Sequence, residues 1–282
     1  GASNAVVSRN FTVTVGAVNT RPVASVPEDQ TVAEDTVLAL AGVSVSDVDV
    51  GGGLMRVSLT ATHGTLTLGS PAGLTFTSGA NASTNLAVEG TLANLNLALA
   101  SLSYLGQTNF NGSDTVTVTV NDQGNTGTGG PLSDSKSFGI TVTAVNDVPV
   151  AVGQAVVTAE ETAKAITLTG SDVEGSALSF SFVAGPGHGS LSGTAPNLTY
   201  TPSANYNGPD SFTFKVNDGA LDSAVATVSI TVTAVNDPPV AEADAKSTSE
   251  DTPLTFPAGD LLANDATGPA NESGQSLALT AG

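Results

Sequence analysis

Residues 140–151 read ITVTAVNDVPVA and residues 230–241 read ITVTAVNDPPVA, a single difference at an offset of 90 positions. A third copy opens the chain, where SRNFTVTVGAVN from Ser8 aligns with SKSFGITVTAVN from Ser135. A strand-plus-linker signature that returns in this way specifies an array of similar units, each closing its own core. Two whole units lie between the signatures, at 21–146 and 147–236. Residues 1–20 then read as the last strand and linker of a preceding unit, and 237–282 as an incomplete third. Gly1 to Ala5 lacks the pattern of a signal peptide and is consistent with a cloning remnant.

Landmarks inside the two units keep one order. Asp47-Val-Asp49 matches Asp172-Val-Glu174, His63-Gly-Thr-Leu matches His188-Gly-Ser-Leu, and Phe110-Asn-Gly-Ser-Asp114 matches Tyr206-Asn-Gly-Pro-Asp210. Because the offset falls between His63 and Phe110, the first unit carries an insertion, placed at 68–105. Apolar residues alternate along Thr115–Val120, Ser211–Val216 and Thr227–Val232, the period of half-buried strands, with Gly, Asn, Asp and Pro between the runs. About seven strands per unit make an all-β chain of tandem Greek-key sandwiches. Within the insertion, Leu92, Leu95, Leu99 and Leu102 recur at helical spacing behind Thr91, a candidate N-cap, and predict one short helix.

Composition removes several functions. With 7 basic against 26 acidic residues and a net charge of -19, the surface cannot neutralise a phosphate backbone, so nucleic acid is excluded as a partner. The absence of Cys excludes disulfides, thiolate metal sites and thiol nucleophiles. No apolar run approaches the roughly 18 residues of a membrane span. Catalytic motifs are missing too: there is no Gly-x-Ser-x-Gly elbow, no His-Glu-x-x-His helix and no phosphate-binding loop. Aromatic residues are 4% and Trp is absent, which leaves few platforms for stacking sugars or bases. The chain reads as a non-enzyme.

Val216-Asn-Asp-Gly219, followed by a strand and then Val235-Asn-Asp-Pro-Pro239, resembles the end of a cadherin repeat. His188-Gly-Ser-Leu, Leu198-Thr-Tyr-Thr-Pro202 and Asn205-Tyr-Asn-Gly-Pro-Asp210 resemble the cadherin-like and immunoglobulin-like tandem repeats of large bacterial surface adhesins. The resemblance implies an extracellular, cell-surface location and a role in adhesion. Two departures stand out: the first linker has Thr20 where the pattern has Asp, and no clear Asp-x-Asp follows Asp265.

Loop parity in such a sandwich sorts the acids to its two ends. Glu34 and Asp35 follow strand A, Asp47 and Asp49 occupy the B–C loop, and Asp122 the F–G loop. Glu160, Glu161, Asp172, Glu174 and Asp218 are their equivalents. The middle joint should therefore collect Glu34, Asp35, Asn146, Asp147, Asp172, Glu174 and Asp218, and the last linker adds Asn236 and Asp237. Like charges about 4 Å apart repel by roughly 4 kcal/mol at an effective dielectric near 20, a penalty that a cation removes. Calcium suits an oxygen-only ligand set better than zinc or magnesium. Any one of these acids, taken alone, is a turn former. The repeated set points instead to a calcium-stiffened spacer whose partners are the neighbouring repeats of the same chain. An alternative reading makes the insertion, Leu68 to Leu105, a face that recognises a glycan or a protein. His63 and His188 read as turn residues, Tyr104 and Tyr200 as core.

Overall fold

The computed structural model describes residues 1–4 and 6–280, which divide into two units, Gly1–Val145 and Asn146–Gly282. Ala5, Ala281 and Gly282, which fall in the two end segments read from the sequence, lie outside the described residues.

In the first unit the strands are β1 (Val23–Ser25), β2 (Gln30–Ala33), β3 (Leu38–Ala39), β4 (Ser44–Ser46), β5 (Leu54–Thr60), β6 (Gly64–Leu68), β7 (Thr75–Ser78) and β8 (Asn85–Thr91). The helix α1 (Leu92–Leu99) follows, then β9 (Leu102–Gly106), β10 (Gly112–Asn121) and β11 (Ser133–Thr143). One sheet runs β2-β11-β10-β5-β8-β7; β3-β9-β6 and the pair β1-β4 oppose it. The first strand of the sandwich is split. Its opening half, β1, pairs antiparallel with β4, and β2 then crosses to lie parallel to β11.

Period-two patterning decides which side chains are inside. Met55, Val57 and Leu59, then Val116, Val118 and Val120, then Phe138, Ile140 and Val142 turn one face of the large sheet inward onto Leu66, Leu68, Leu102 and Tyr104. The intervening Thr and Ser stay at the surface, where Thr117 with Ser137 and Thr119 with Ser135 form hydroxyl pairs across β10 and β11, each 2.9 Å.

The insertion is part of this core. Strand β8 pairs with β5 over seven positions, from Leu54 opposite Thr91 to Thr60 opposite Asn85, and Leu86, Val88, Leu95 and Leu99 are buried with the rest. The helix forms where the leucine spacing places it, with the Thr91 Oγ1 accepting from the Asn94 N–H at 3.4 Å. It ends one turn sooner than that spacing suggests, because Leu102 begins β9. Asn96 on α1 replaces a strand: its Oδ1 accepts from the Val45 N–H at 2.9 Å and its Nδ2 donates to the Val45 carbonyl at 2.8 Å, pairing a β4 backbone that would otherwise be unmet.

The second unit has the same plan without the addition. Its strands are β12 (Val150–Val152), β13 (Gln154–Ala159), β14 (Lys164–Thr167), β15 (Thr169–Ser171), β16 (Ser179–Ala184), β17 (Gly189–Thr194), β18 (Asn197–Pro202), β19 (Gly208–Asn217) and β20 (Ala226–Thr233). They form β13-β20-β19-β16 against β14-β18-β17 and β12-β15, with β13 again parallel to β20. Phe212, Phe214, Val216, Val228, Ile230 and Val232 meet Ile166, Leu168, Leu198 and Tyr200 in a smaller core.

Two end segments depart from the strands expected of them. Phe11 to Val15 forms no strand, and Val18 makes only one bridge, to Thr128. Residues 237–280 hold two 3-10 turns, Ala258–Leu261 and Ala270–Glu272, and one bridge from Val240 to Ala266. A strand-patterned segment has no partner for its N–H and C=O groups until a sheet edge supplies one, so alternation alone does not make a strand.

Because α1 is a structural piece of the first core, Leu95→Ala should lower the stability of that unit by about 2–5 kcal/mol, whereas Leu97→Ala on its exposed side should stay within about 0.5 kcal/mol. Urea unfolding of the two variants, followed by circular dichroism, measures the difference.

Candidate functional site

Each unit is organised around an aspartate that neither repeat advertises as a ligand, Asp114 buried and Asp210 half-buried. Asp114, at the head of β10, accepts from the N–H groups of Thr62 at 3.0 Å, His63 at 2.9 Å and Thr115 at 2.7 Å, and from the Tyr104 hydroxyl at 2.9 Å. Asp210 accepts from the N–H groups of Gly187 at 2.8 Å, His188 at 3.0 Å and Ser211 at 2.8 Å, and from the Tyr200 hydroxyl at 2.8 Å. Burial alone would raise both carboxyl pKa values. These donors outweigh it and hold both below the usual carboxylate range. Burial, then the adjacent carboxylate, pushes both tyrosine hydroxyls up.

The His-Gly turns complete the latch. His63 stacks on Phe110 with centroids 4.4 Å apart, and His188 on Tyr206 at 4.0 Å. A Cβ on Gly64 or Gly189 would overlap the ring of Tyr104 or Tyr200, so only glycine lets the turn lie against the tyrosine. The histidines are turn residues, as their sequence context implies, but an acid does stand beside each of them. The signal was present in the shared Asn-Gly-Ser/Pro-Asp motif, whose last residue is the latch.

The expected ligands occupy the ends of the sandwiches. At the leading end of the first unit, the Asn19 side-chain amide donates to Asp122 Oδ2 at 2.7 Å and the Thr20 N–H to Asp49 Oδ2 at 2.8 Å. Asp47 Oδ1 accepts from the Asp49 N–H at 3.0 Å, and Asp122 Oδ1 from the N–H groups of Gly124 at 2.9 Å and Leu132 at 2.8 Å. The second unit repeats the scheme on its own linker. The Asn146 amide donates to Asp218 Oδ2 at 2.8 Å, the Asp147 N–H to Glu174 Oε2 at 3.2 Å, and the Ser176 N–H to Asp172 Oδ1 at 2.8 Å. Thr20 thus makes the same backbone contact as Asp147, which removes the Thr20 departure as far as the linker's attachment is concerned.

At the trailing ends the first acid of each pair is buried. Glu34, 4% exposed, accepts from the Val145 N–H at 2.6 Å, and Glu160, 1% exposed, from the Val235 N–H at 2.6 Å. The second acid of each pair adopts positive φ, 55° at Asp35 and 57° at Glu161, and receives an N–H from Asn109 at 3.2 Å or Asn205 at 2.6 Å. Asp251 has the same φ of 57° in Glu250-Asp251-Thr252, so this turn occurs a third time, beyond the acids singled out from the sequence. Asn236 Oδ1 accepts from the Gln275 amide at 2.7 Å, and Glu160 Oε2 from the Asn271 amide at 3.0 Å.

Among the described residues, no three His, Cys, Asp or Glu side chains gather as a metal-holding group. The carboxylates instead hold linker and loop donors. Four of their oxygens are nonetheless buried and meet no donor: Asp47 Oδ2, Asp49 Oδ1, Asp172 Oδ2 and Asp237 Oδ2. An unmet buried acceptor costs about 1–3 kcal/mol, and a hard cation satisfies such oxygens. Burial, then the nearby Asp49 and Asp122 charges, raises the Asp47 pKa, even though the Asp49 N–H bond opposes the rise. At Asp49 partial desolvation acts upward but is outweighed by the adjacent Asp47 carboxyl, which takes up the shared proton in its place, and by the Thr20 N–H, so its carboxyl is held low. The donor chemistry fits calcium.

Residues 146–231 match the bacterial Ig domain family, and residues 47–128 match the GAMETE EXPRESSED 2 domain family. No curated protein matches the chain. Among solved structures, it is similar to an endo-fucoidan hydrolase of glycoside hydrolase family 107, at 24% identity and TM-score 0.28, covering 82% of this chain and 31% of that one. It is also similar to protocadherin gammaB7 EC3-6, at 16% and 0.40 over 83% and 56% of the two chains, and to mouse cadherin-23 EC22-24, at 16% and 0.38 over 78% and 67%. The chain spans about a third of the hydrolase and little more than half of the protocadherin. Both units are β-sandwiches, and the second carries the match to the bacterial Ig domain family.

The latch predicts an acid limit. Stability contributed by Asp114 and Asp210 is complete above the unfolded carboxyl value of about 3.9 and is lost as pH falls through the lower folded values. Asp114→Asn should cost about 3 kcal/mol at neutral pH, and its unfolding free energy should depend less on pH in urea melts from about pH 2 to 6 than that of the parent protein.

Proposed function

We propose that this chain is a structural spacer of an extracellular bacterial surface protein, supporting adhesion, and that calcium bound at the ends of its sandwiches stiffens it. The observation that carries this reading is the repeated treatment of the linkers. In each unit an Asn amide and the following N–H of the leading linker are held by one F–G carboxylate and one B–C carboxylate, Asp122 with Asp49 and Asp218 with Glu174. The donorless oxygens of Asp47, Asp49 and Asp172 belong to the same loops, and that of Asp237 to the last linker. Calcium bound there would neutralise the repulsion and take those oxygens as ligands, with Asn19, Asp122, Asn146, Asp147, Glu174, Asp218 and Asn236 beside them. At the trailing ends Glu34 and Glu160, with Asp35 and Glu161, are the acids available to it.

A structural role is favoured over recognition through 68–105 because most of the large apolar residues of that segment, Leu68, Leu86, Val88, Leu95, Leu99 and Leu102 among them, are spent on the first core, although Leu97 stays exposed. No helix among the described residues is long and apolar enough to cross a membrane. An array of such units acts through neighbour-to-neighbour coupling, which suits holding a distal group away from a surface.

Calorimetric titration of the chelated protein should show calcium uptake at about 0.1–1 mM, the range of extracellular modules, and a rise in Tm. The double variant Asp47→Asn/Asp49→Asn should weaken uptake at the first linker at least about tenfold while leaving uptake by the second unit unchanged. Small-angle scattering should report a narrower range of shapes in calcium than in chelator. No uptake at several millimolar would end this reading.

A further inference from the structure

The two units close their F–G loops differently. In the second, the Asp218 N–H meets the Leu221 carbonyl at 3.3 Å, and the Ala220 and Leu221 N–H groups fold back onto Asp218 Oδ1, each at 2.7 Å. In the first, the Asp122 N–H reaches as far along the chain as the Leu132 carbonyl, at 3.2 Å, and residues 123–131 form a strap between them. The strap reads Gln-Gly-Asn-Thr-Gly-Thr-Gly-Gly-Pro, without a charge and without a large apolar side chain, so neither ion pairs nor burial in the core can hold it.

Hydrogen bonds hold it instead. The Asn125 amide donates to the carbonyls of Leu54 and Asp122, and the Thr126 hydroxyl to the carbonyl of Asp49, which seats the strap on the B–C loop. Thr128 then meets the leading linker from both sides of its peptide unit. Its N–H donates to the Ala17 carbonyl at 2.9 Å, and its carbonyl accepts from the Asn19 N–H at 3.0 Å. The Gly130 carbonyl accepts from the Asn19 side-chain amide at 2.8 Å, and Asn19 is 8% exposed. A Cβ on Gly127, whose φ is 79°, would stand 2.6 Å from the Asn19 nitrogen and 2.7 Å from the Val18 carbonyl carbon, so the two backbones lie as close as only glycine permits. Asp122 spends both oxygens on protein donors, Asn19 on one and Gly124 and Leu132 on the other. All of these bonds form without a cation.

We propose that the strap 123–131 is a built-in clamp that fixes the leading linker of the first unit, residues 17–20, in the absence of calcium. The linker at 146–147, which meets only the short turn of the second unit, is then the one whose order depends on the ion. That contrast rests on the calcium reading; the clamp does not.

Amide exchange followed by NMR on the whole chain, in chelator and in several millimolar calcium, separates the two. The Asn19 and Thr128 amides should exchange at least about tenfold more slowly than those of an unstructured peptide in both conditions, whereas the Asp147 amide should slow at least about tenfold only when calcium is added. Gly127→Ala should abolish the protection of Asn19 in chelator while Val118 and Val120 on β10 remain protected. Replacing 123–131 by Gly-Ala, the turn of the second unit, should do the same. Protection of Asn19 that appears only with calcium, or that survives in either variant, would overturn the proposal. An Asp147 amide indifferent to calcium beside a protected Asn19 would overturn the calcium reading and support the clamp.

Discussion

Carboxylates that accept backbone N–H groups are the interaction on which this protein depends. Only 12% of its residues are charged, and most of the acids singled out here sit in turns, facing main-chain donors. Asp114 and Asp210 pin the turn before β6 or β17 to the head of the next long strand, and Glu34 and Glu160 pin the residue that precedes each linker. Hydrogen bonds to a charged acceptor are worth roughly twice those between neutral groups, and they matter most where loops have no ladder to join. A sandwich without disulfides can hold its turns in this way.

The same economy connects fold and proposed function. An acid that anchors a linker by one oxygen has another that points elsewhere, and Asp49 shows both uses: Oδ2 receives the Thr20 N–H while Oδ1 is buried without a donor. Val145 is held by the first unit, and Asn146, its neighbour in the chain, by the second. Linker fixation is therefore built into each unit before any ion is considered, and calcium, in the proposed reading, would reinforce contacts that protein donors already make.

The insertion shows how one repeat plan accepts a large addition. Sheets tolerate growth at an edge because a new strand meets donors and acceptors already aligned for it. Here β8 takes the edge of β5, and α1 closes the space beside it with Leu95 and Leu99. The second unit, lacking this, leaves Phe182 half exposed. Length added to one repeat became core, and the shorter repeat kept an open edge.

Much was legible from the chain alone. Period-two runs named the strands, the returned ITVTAVND signature set the repeat, and leucine spacing behind Thr91 located the helix, because all three are local patterns read along a few residues. Loop parity likewise brought Asp49, Asp122, Glu174 and Asp218 to the linkers. Other features were decided only when strands distant in sequence came together. The Tyr104–Asp114 and Tyr200–Asp210 latches, the capture of Val45 by Asn96, the burial of Glu34 and the failure of Phe11–Val15 to form a strand all depend on which neighbour lies alongside. A hydrogen-bonding group is satisfied, or left unmet, by its partner in space, and that partner is set by tertiary packing rather than by spacing along the chain.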